Sequence, residues 1–305
     1  MENVLVKAAA FVFIIFLGYA LKRRGFFQPS DFRLLSRIVI NITVPATIIS
    51  SFGQLPGDNS LMILVALGMV CNLFLSGIGV FVAGRRGKDA MAFNMLNFSG
   101  YNIGCFILPY VQNFLGPVGI VSTCLFDAGN SFLCTGGTYS LASTFLEGKG
   151  KGRLKLFLMR TFSSIPILTF IIMLTFFAVH IAVPSAVVDF VDIIAKANGF
   201  LAMLMIGVGL ELRFKRSQLL RIVQILTIRY GLATILALVF YFVLPFPLEV
   251  RQALLLIAFA PISAVAVAYT EKIGGDVGLS GAINSASILV SMAIVSILLV
   301  VMGIG

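Results

Sequence analysis

Histidine and tryptophan are almost missing from this chain, which has one His and no Trp in 305 residues. A lone imidazole cannot anchor a zinc site, and no cluster of His, Cys and carboxylate residues takes its place. A Ser–His hydrolase would depend on His180, which has no nucleophile motif near it. Charge is scarce too, at 11% of residues with 12 acids. Intramembrane aspartyl chemistry needs two carboxylates sharing a proton. The tempting Gly274, Gly275, Asp276 run follows Ile273, so the GxGD pattern is broken, and no second aspartate pairs with it. No GxxxxGK(S/T) loop occurs, which excludes an ATP-driven pump on this chain alone. The four cysteines (Cys71, Cys105, Cys124 and Cys134) lie in apolar runs without a CxxC pair and read as small buried hydrophobes. No enzyme activity, cofactor or metal is expected.

What remains is mostly apolar: 59% hydrophobic residues and a mean hydropathy of +1.07. Soluble domains do not reach such values. The apolar runs are continuous, whereas a membrane β-barrel alternates in segments of about ten residues. The reading is an all-α polytopic membrane protein with the lipid bilayer around it. At about 20 residues per span, ten spans fit, near 4–21, 32–52, 60–83, 90–114, 117–146, 154–180, 185–211, 219–244, 250–271 and 277–301. The first apolar run is followed, not preceded, by Lys22, Arg23 and Arg24, the reverse of a cleaved signal peptide.

A formal net charge of +10 raises nucleic acid as a partner. The cations instead sit in short loops, where they set orientation, and no soluble basic face exists for nucleic acid. Lys22–Arg37, Arg85–Lys88, Lys149–Lys155 and Arg213–Arg221 are basic, while Gln54–Asn59, Gln112–Pro117 and His180–Ser185 carry no Lys or Arg. Pro245–Arg251 has one Arg and Glu271–Asp276 one Lys. With the basic loops in the cytoplasm, both termini lie outside it, in a multi-pass plasma-membrane protein (the inner membrane of a bacterial cell).

Two spans are interrupted. NFSGYNIGCFILPY (97–110) holds Gly100, Gly104 and Pro109 with the amides of Asn97 and Asn102, and FAPISAVAVAYTEKIGGD (259–276) occupies the matching place further on. Proline removes a donor and glycine weakens a helix. In hydrocarbon such a break survives only when packed or lining a cavity. The polar linker 147–153 divides the chain into 1–146 and 154–305, five spans each. An odd number per half inverts the second half, and paired breaks in inverted halves mark a transporter's midplane site. Restarting helix N-termini there would suit an anion, and the opposing C-terminal ends could hold a cation.

Among individual residues, Asn102 stands beside the first break and is a ligand candidate. Asp127 is an acid well inside a span, a candidate for substrate contact or proton coupling. Asn130 and Ser131 follow one turn on; Asn41, beside Pro45, is a cavity candidate in the second span. Asp192 and Lys196 read as a structural i,i+4 pair, Asn284 as interhelical glue, and Tyr269 with Glu271 as an interfacial anchor.

LGYALKRRGFF with DFRLLSRIVINITVPATIISSF (17–52), NIGCFILP (102–109), DAGNS (127–131), LMIGVGLEL (204–212) and APISAVAVAYTEKIGGD (260–276) together resemble the auxin efflux carrier family, which includes bacterial permeases and the plant PIN carriers. The resemblance runs along nearly the whole chain. It implies ten spans in two inverted five-span repeats, crossed helices at spans four and nine, a scaffold part that dimerises and a moving transport part. It also implies that an Asn seven residues before the crossing proline binds substrate; Asn102 and Pro109 keep that spacing, and Pro261 matches the second crossing proline. The family's substrates are carboxylates such as malate, malonate and auxin. The expected function is thus a secondary transporter of a small organic anion, with substrate-site candidates Asn102, Pro109, Pro261, Asn41, Asp127 and Asn130. The alternatives are a sodium-coupled bile-acid-type symporter and a channel or transport-fold receptor.

Overall fold

The computed structural model describes residues 2–28, 30–53, 59–147, 164–211 and 215–303. These are helical throughout, with no strand among the described residues. The expected linker 147–153, apart from Glu147, and the first third of the expected sixth span lie outside them.

Twelve helices carry the site, numbered here in chain order. The first three are α1 (Glu2–Arg23), α2 (Asp31–Gly53) and α3 (Ile63–Ala83). Then come α4 (Lys88–Phe98) and α5 (Leu108–Phe114), α6 (Pro117–Leu146) and α7 (Ile165–Ala178). The rest are α8 (Ser185–Gly209), α9 (Leu219–Phe242), α10 (Leu248–Ala258), α11 (Val265–Lys272) and α12 (Val277–Val301). Among the described residues, seven helices are long and apolar enough to cross a bilayer. The chain is therefore a multi-pass membrane protein. Expected spans four and nine are split, into α4/α5 and α10/α11.

At Pro45 and Pro109 the helix is widened, not ended. Val39–Thr43 and Ile103–Ile107 are single π-helical turns, and each is followed by X-Pro: Val44-Pro45 and Leu108-Pro109. Val44 N–H bonds the Val39 carbonyl and Leu108 N–H the Ile103 carbonyl, five residues back. The wider turn relieves the ring's clash with the preceding turn. Inside α6 the helix is interrupted by a kink at Gly136, where the backbone is non-helical (φ 177°, ψ −24°).

Helices meet through small residues, as expected where lipid removes the hydrophobic drive between them. A Cβ on Gly129 would sit 1.9 Å from the Val65 carbonyl oxygen, and one on Gly207 would sit 2.1 Å from that of Ile15. These contacts seat α6 on α3 and α8 on α1. The expected ion pair between Asp192 and Lys196 is present at 2.8 Å, and Ser50 donates to the Asp192 carboxylate at 3.1 Å.

Candidate functional site

The first break begins after Phe98. Ser99 is extended, and Gly100 takes φ +74°, a conformation that favours glycine. A Cβ on Gly100 would also lie 2.8 Å from Cys134 Sγ. The helix restarts at Ile103. The second break spans the residues between Ala258 and Val265. The two breaks touch directly: Asn102 N–H donates to the Pro261 carbonyl at 2.9 Å.

At each break a residue in the stranded stretch is held by the next long helix, α6 at the first and α12 at the second. At the first, Asn130 of α6 treats Tyr101 as a peptide partner: its Oδ1 accepts from Tyr101 N–H at 3.1 Å and its Nδ2 donates to the Tyr101 carbonyl at 2.9 Å. At the second, Ile262 is held by α12: Ser287 Oγ accepts its N–H at 3.1 Å and Asn284 Nδ2 donates to its carbonyl at 2.8 Å. Asn284 is indeed glue, and what it binds is a break. Asn97 joins the two interrupted segments lower down, donating to Thr270 Oγ1 at 3.1 Å and accepting from Ser280 Oγ at 2.6 Å. The buried amides and hydroxyls named here are thus satisfied by one another, as hydrocarbon requires, whereas the buried Tyr101 hydroxyl has no partner among the described residues.

A cavity of about 160 Å³ lies against this junction. Its walls include Asn102 to Cys105 from the first restart and Ser263 to Val265 from the second. Phe32, Ile40, Val44, Pro166 and Met205 give it apolar surface, and Asp127, Ser131 and Thr135 polar surface. Its volume matches an engineered cavity of about 150 Å³ that holds benzene, so a guest of similar size fits. Among the described residues Asp127 is its one carboxylate, and no Lys or Arg lines it. Asp127 Oδ1 accepts from Asn130 Nδ2 at 2.9 Å and from Ser131 Oγ at 3.1 Å. Its Oδ2 lies against Gly104, where the first helix restarts.

The sequence candidates separate here. Asn102, Asp127 and Asn130 line the cavity together. Asn102 has no side-chain hydrogen bond among the described residues, which leaves its amide to a guest. Asn130 is a clamp, saturated by Tyr101, Asp127 and Asn72, whose Nδ2 lies at 3.0 Å. Pro109 is buried beyond the π turn and Pro261 acts through its carbonyl; neither lines the cavity. Asn41 is exposed on the outer side of its π turn, while its neighbours Ile40 and Val44 reach the cavity. Tyr269 is not an interfacial anchor: it is 7% exposed, packs on Tyr139 with ring centroids 4.9 Å apart, and donates to the Thr135 carbonyl.

Arg229 escapes the sequence reading. It lies at the centre of α9, is 2% exposed, and donates to the carbonyls of Phe98 and, at 2.8 Å, Gly100. Its guanidinium also sits over the Tyr101 ring, 5.2 Å from the centroid. The available signal was an arginine at the middle of a 24-residue apolar helix, about two turns beyond Arg221 at its start.

Paired helix breaks joined at a polar cavity inside a multi-pass helical membrane protein define a transport-type architecture. Residues 3–302 match the family model described as membrane transport protein. The chain therefore belongs to that family, the auxin efflux carrier family. It is also 29% identical over 133 residues to an uncharacterized transporter of Methanothermobacter thermautotrophicus. That match covers 40% of this chain and 42% of the relative's length.

Proposed function

We propose that this protein is a secondary carrier for a small organic anion of the malate, malonate or auxin kind, working by alternating access. The observation that carries the reading is the Asn102–Pro261 contact at 2.9 Å, with both helix restarts lining one cavity. In this reading the chain has ten spans in two inverted five-span halves, 1–146 and 154–305, with spans four and nine crossing at the breaks. The matched clamps, Asn130 on Tyr101 and Asn284 with Ser287 on Ile262, support that pseudosymmetry. The restarting N-termini and the Asn102 amide receive a carboxylate, and a proton on Asp127 travels with it. Family membership accords with transport and not catalysis.

The cavity's lining includes Phe32, Ser36 and Ser164, at helix ends that adjoin basic segments. By the charge rule that end faces the cytoplasm, so the conformer is the inward-facing one, in a plasma-membrane protein with both termini outside. A homodimer through the scaffold spans completes the proposal. The sodium-symporter alternative finds less support: Asn97, Thr270 and Ser280 bond one another and are not arranged around a vacant centre. Counterflow in proteoliposomes, with radiolabelled malate, malonate and indole-3-acetate under imposed H⁺ or Na⁺ gradients, is the test. Saturable counterflow of one of these, accelerated by an H⁺ gradient, is expected. Linear, non-exchanging flux would mean a channel, and dependence on Na⁺ would mean the symporter.

A further inference from the structure

We propose that Arg229 sets the sign of charge that the cavity accepts, acting from behind the first break as a positioning and specificity-determining residue. The inference rests on the carrier reading above. A helix end carries about half a unit charge, positive at the N-terminus and negative at the C-terminus. Two breaks meeting at one place contribute two ends of each kind, and these cancel. Geometry at the crossing alone therefore favours neither anion nor cation.

The two breaks are not finished alike. At the second, the carbonyls of Leu256 and Ile257 at the end of α10 are taken by local turns, from Phe259 N–H at 3.2 Å and Ala260 N–H at 2.9 Å. At the first, the Phe98 and Gly100 carbonyls are taken by a full cation, Arg229. Capping two carbonyls needs only a neutral amide. A charge buried at membrane depth is costly and marks function by default. Arg229 makes no ion pair among the described residues, so its charge is not cancelled by an acid in contact with it. It reaches the cavity through one layer of protein: Tyr101, whose ring faces the guanidinium, is itself a lining residue. The four helix ends cancel and the guanidinium remains, so the site is positive although no Lys or Arg among the described residues lines the cavity. One negative charge balances it, supplied by Asp127 or by the guest. The guest class is thus an organic anion bound as a monoanion (a monocarboxylate, or a dicarboxylate carrying one proton), with a further proton when Asp127 is ionised.

Two substitutions separate charge from capping. Arg229→Gln keeps a two-donor amide and removes the charge; Arg229→Lys keeps the charge. In proteoliposome counterflow with malate, malonate and indole-3-acetate as probes, Arg229→Lys is expected within about threefold of the native KM. Arg229→Gln is expected to raise KM at least tenfold, with kcat changed less, and to lose the preference of the site for malonate over its neutral diamide as inhibitor. Equal KM values and preferences in the two variants would overturn the proposal. An unmodified-protein experiment guards against misfolded variants. Cys105 lines the same cavity, so its rates with anionic sulfonatoethyl and cationic trimethylammonium-ethyl methanethiosulfonates, each normalised to a free thiol, report the local sign of charge. Peptide mass spectrometry reads the site. An anionic preference of about tenfold is expected, and a cationic one refutes the inference. If the native protein exchanges no organic anion at all, the carrier reading fails, while the thiol ratio still decides the role of Arg229.

Discussion

Asn102 and Asn130 look equivalent in the sequence, two amides near a break, and the structure gives them opposite tasks. Asn130 is 1% exposed and holds both backbone groups of Tyr101. Its loss strands buried donors and acceptors, at about 1–3 kcal/mol for each unsatisfied group. Asn130→Ala is expected to lower the melting temperature in detergent markedly, whereas Asn102→Ala leaves it near the native value and raises KM at least tenfold in counterflow. Asp127 tests coupling. Asp127→Asn keeps an oxygen for Asn130 and Ser131 but cannot carry the proton, so transport is expected to lose its dependence on pH between about 5 and 8. Unchanged pH dependence of that variant would rule out coupling through this residue. Of the site residues, those legible beforehand were polar groups out of place in a span. Arg229 went unread because cations elsewhere in the chain mark loops, and only packing reveals that this one faces a helix end.

For the helices, the breaks were readable because Gly100, Gly104 and Pro109 crowd one apolar run, and a run of that length predicts a span. Which atoms replace the missing helix bonds was not readable, since they come from α6, α9 and α12, far along the chain. Gly100→Val combines a positive φ with a side chain driven into Cys134. It is expected to abolish substrate counterflow, and also to destabilise the protein by more than about 1 kcal/mol, seen as a lower melting temperature. Gly129→Val acts elsewhere. Its Cβ would overlap the Val65 carbonyl, so α6 would be pushed off α3. Loss of a monodisperse peak on size exclusion is the expected outcome, with Gly77→Ala, where a Cβ meets nothing within 4 Å, unaffected.

At the scale of the molecule, the prediction concerns sidedness. Cys105 and Cys134 line the cavity and are partly exposed, whereas Cys71 and Cys124 are buried. A membrane-impermeant maleimide is expected to label Cys105 in inside-out vesicles, with labelling slowed by transported anion, and to leave it largely unlabelled in right-side-out vesicles. The reverse pattern would show that the basic loops face outward.

Composition and loop charge alone settled that this chain lives in a bilayer as many helices, because hydrocarbon admits few ways of satisfying a backbone, and each leaves long apolar runs and clustered loop cations. Gly and Pro placement alone marked where two helices are interrupted. Only the tertiary structure decided that these interruptions meet at Asn102 and Pro261, that Asn130 is a clamp while Asn102 is available, and that Arg229 stands behind the junction. Those facts depend on contacts between residues from 29 to more than a hundred positions apart, and local residue patterns carry no record of which distant partner satisfies a stranded carbonyl.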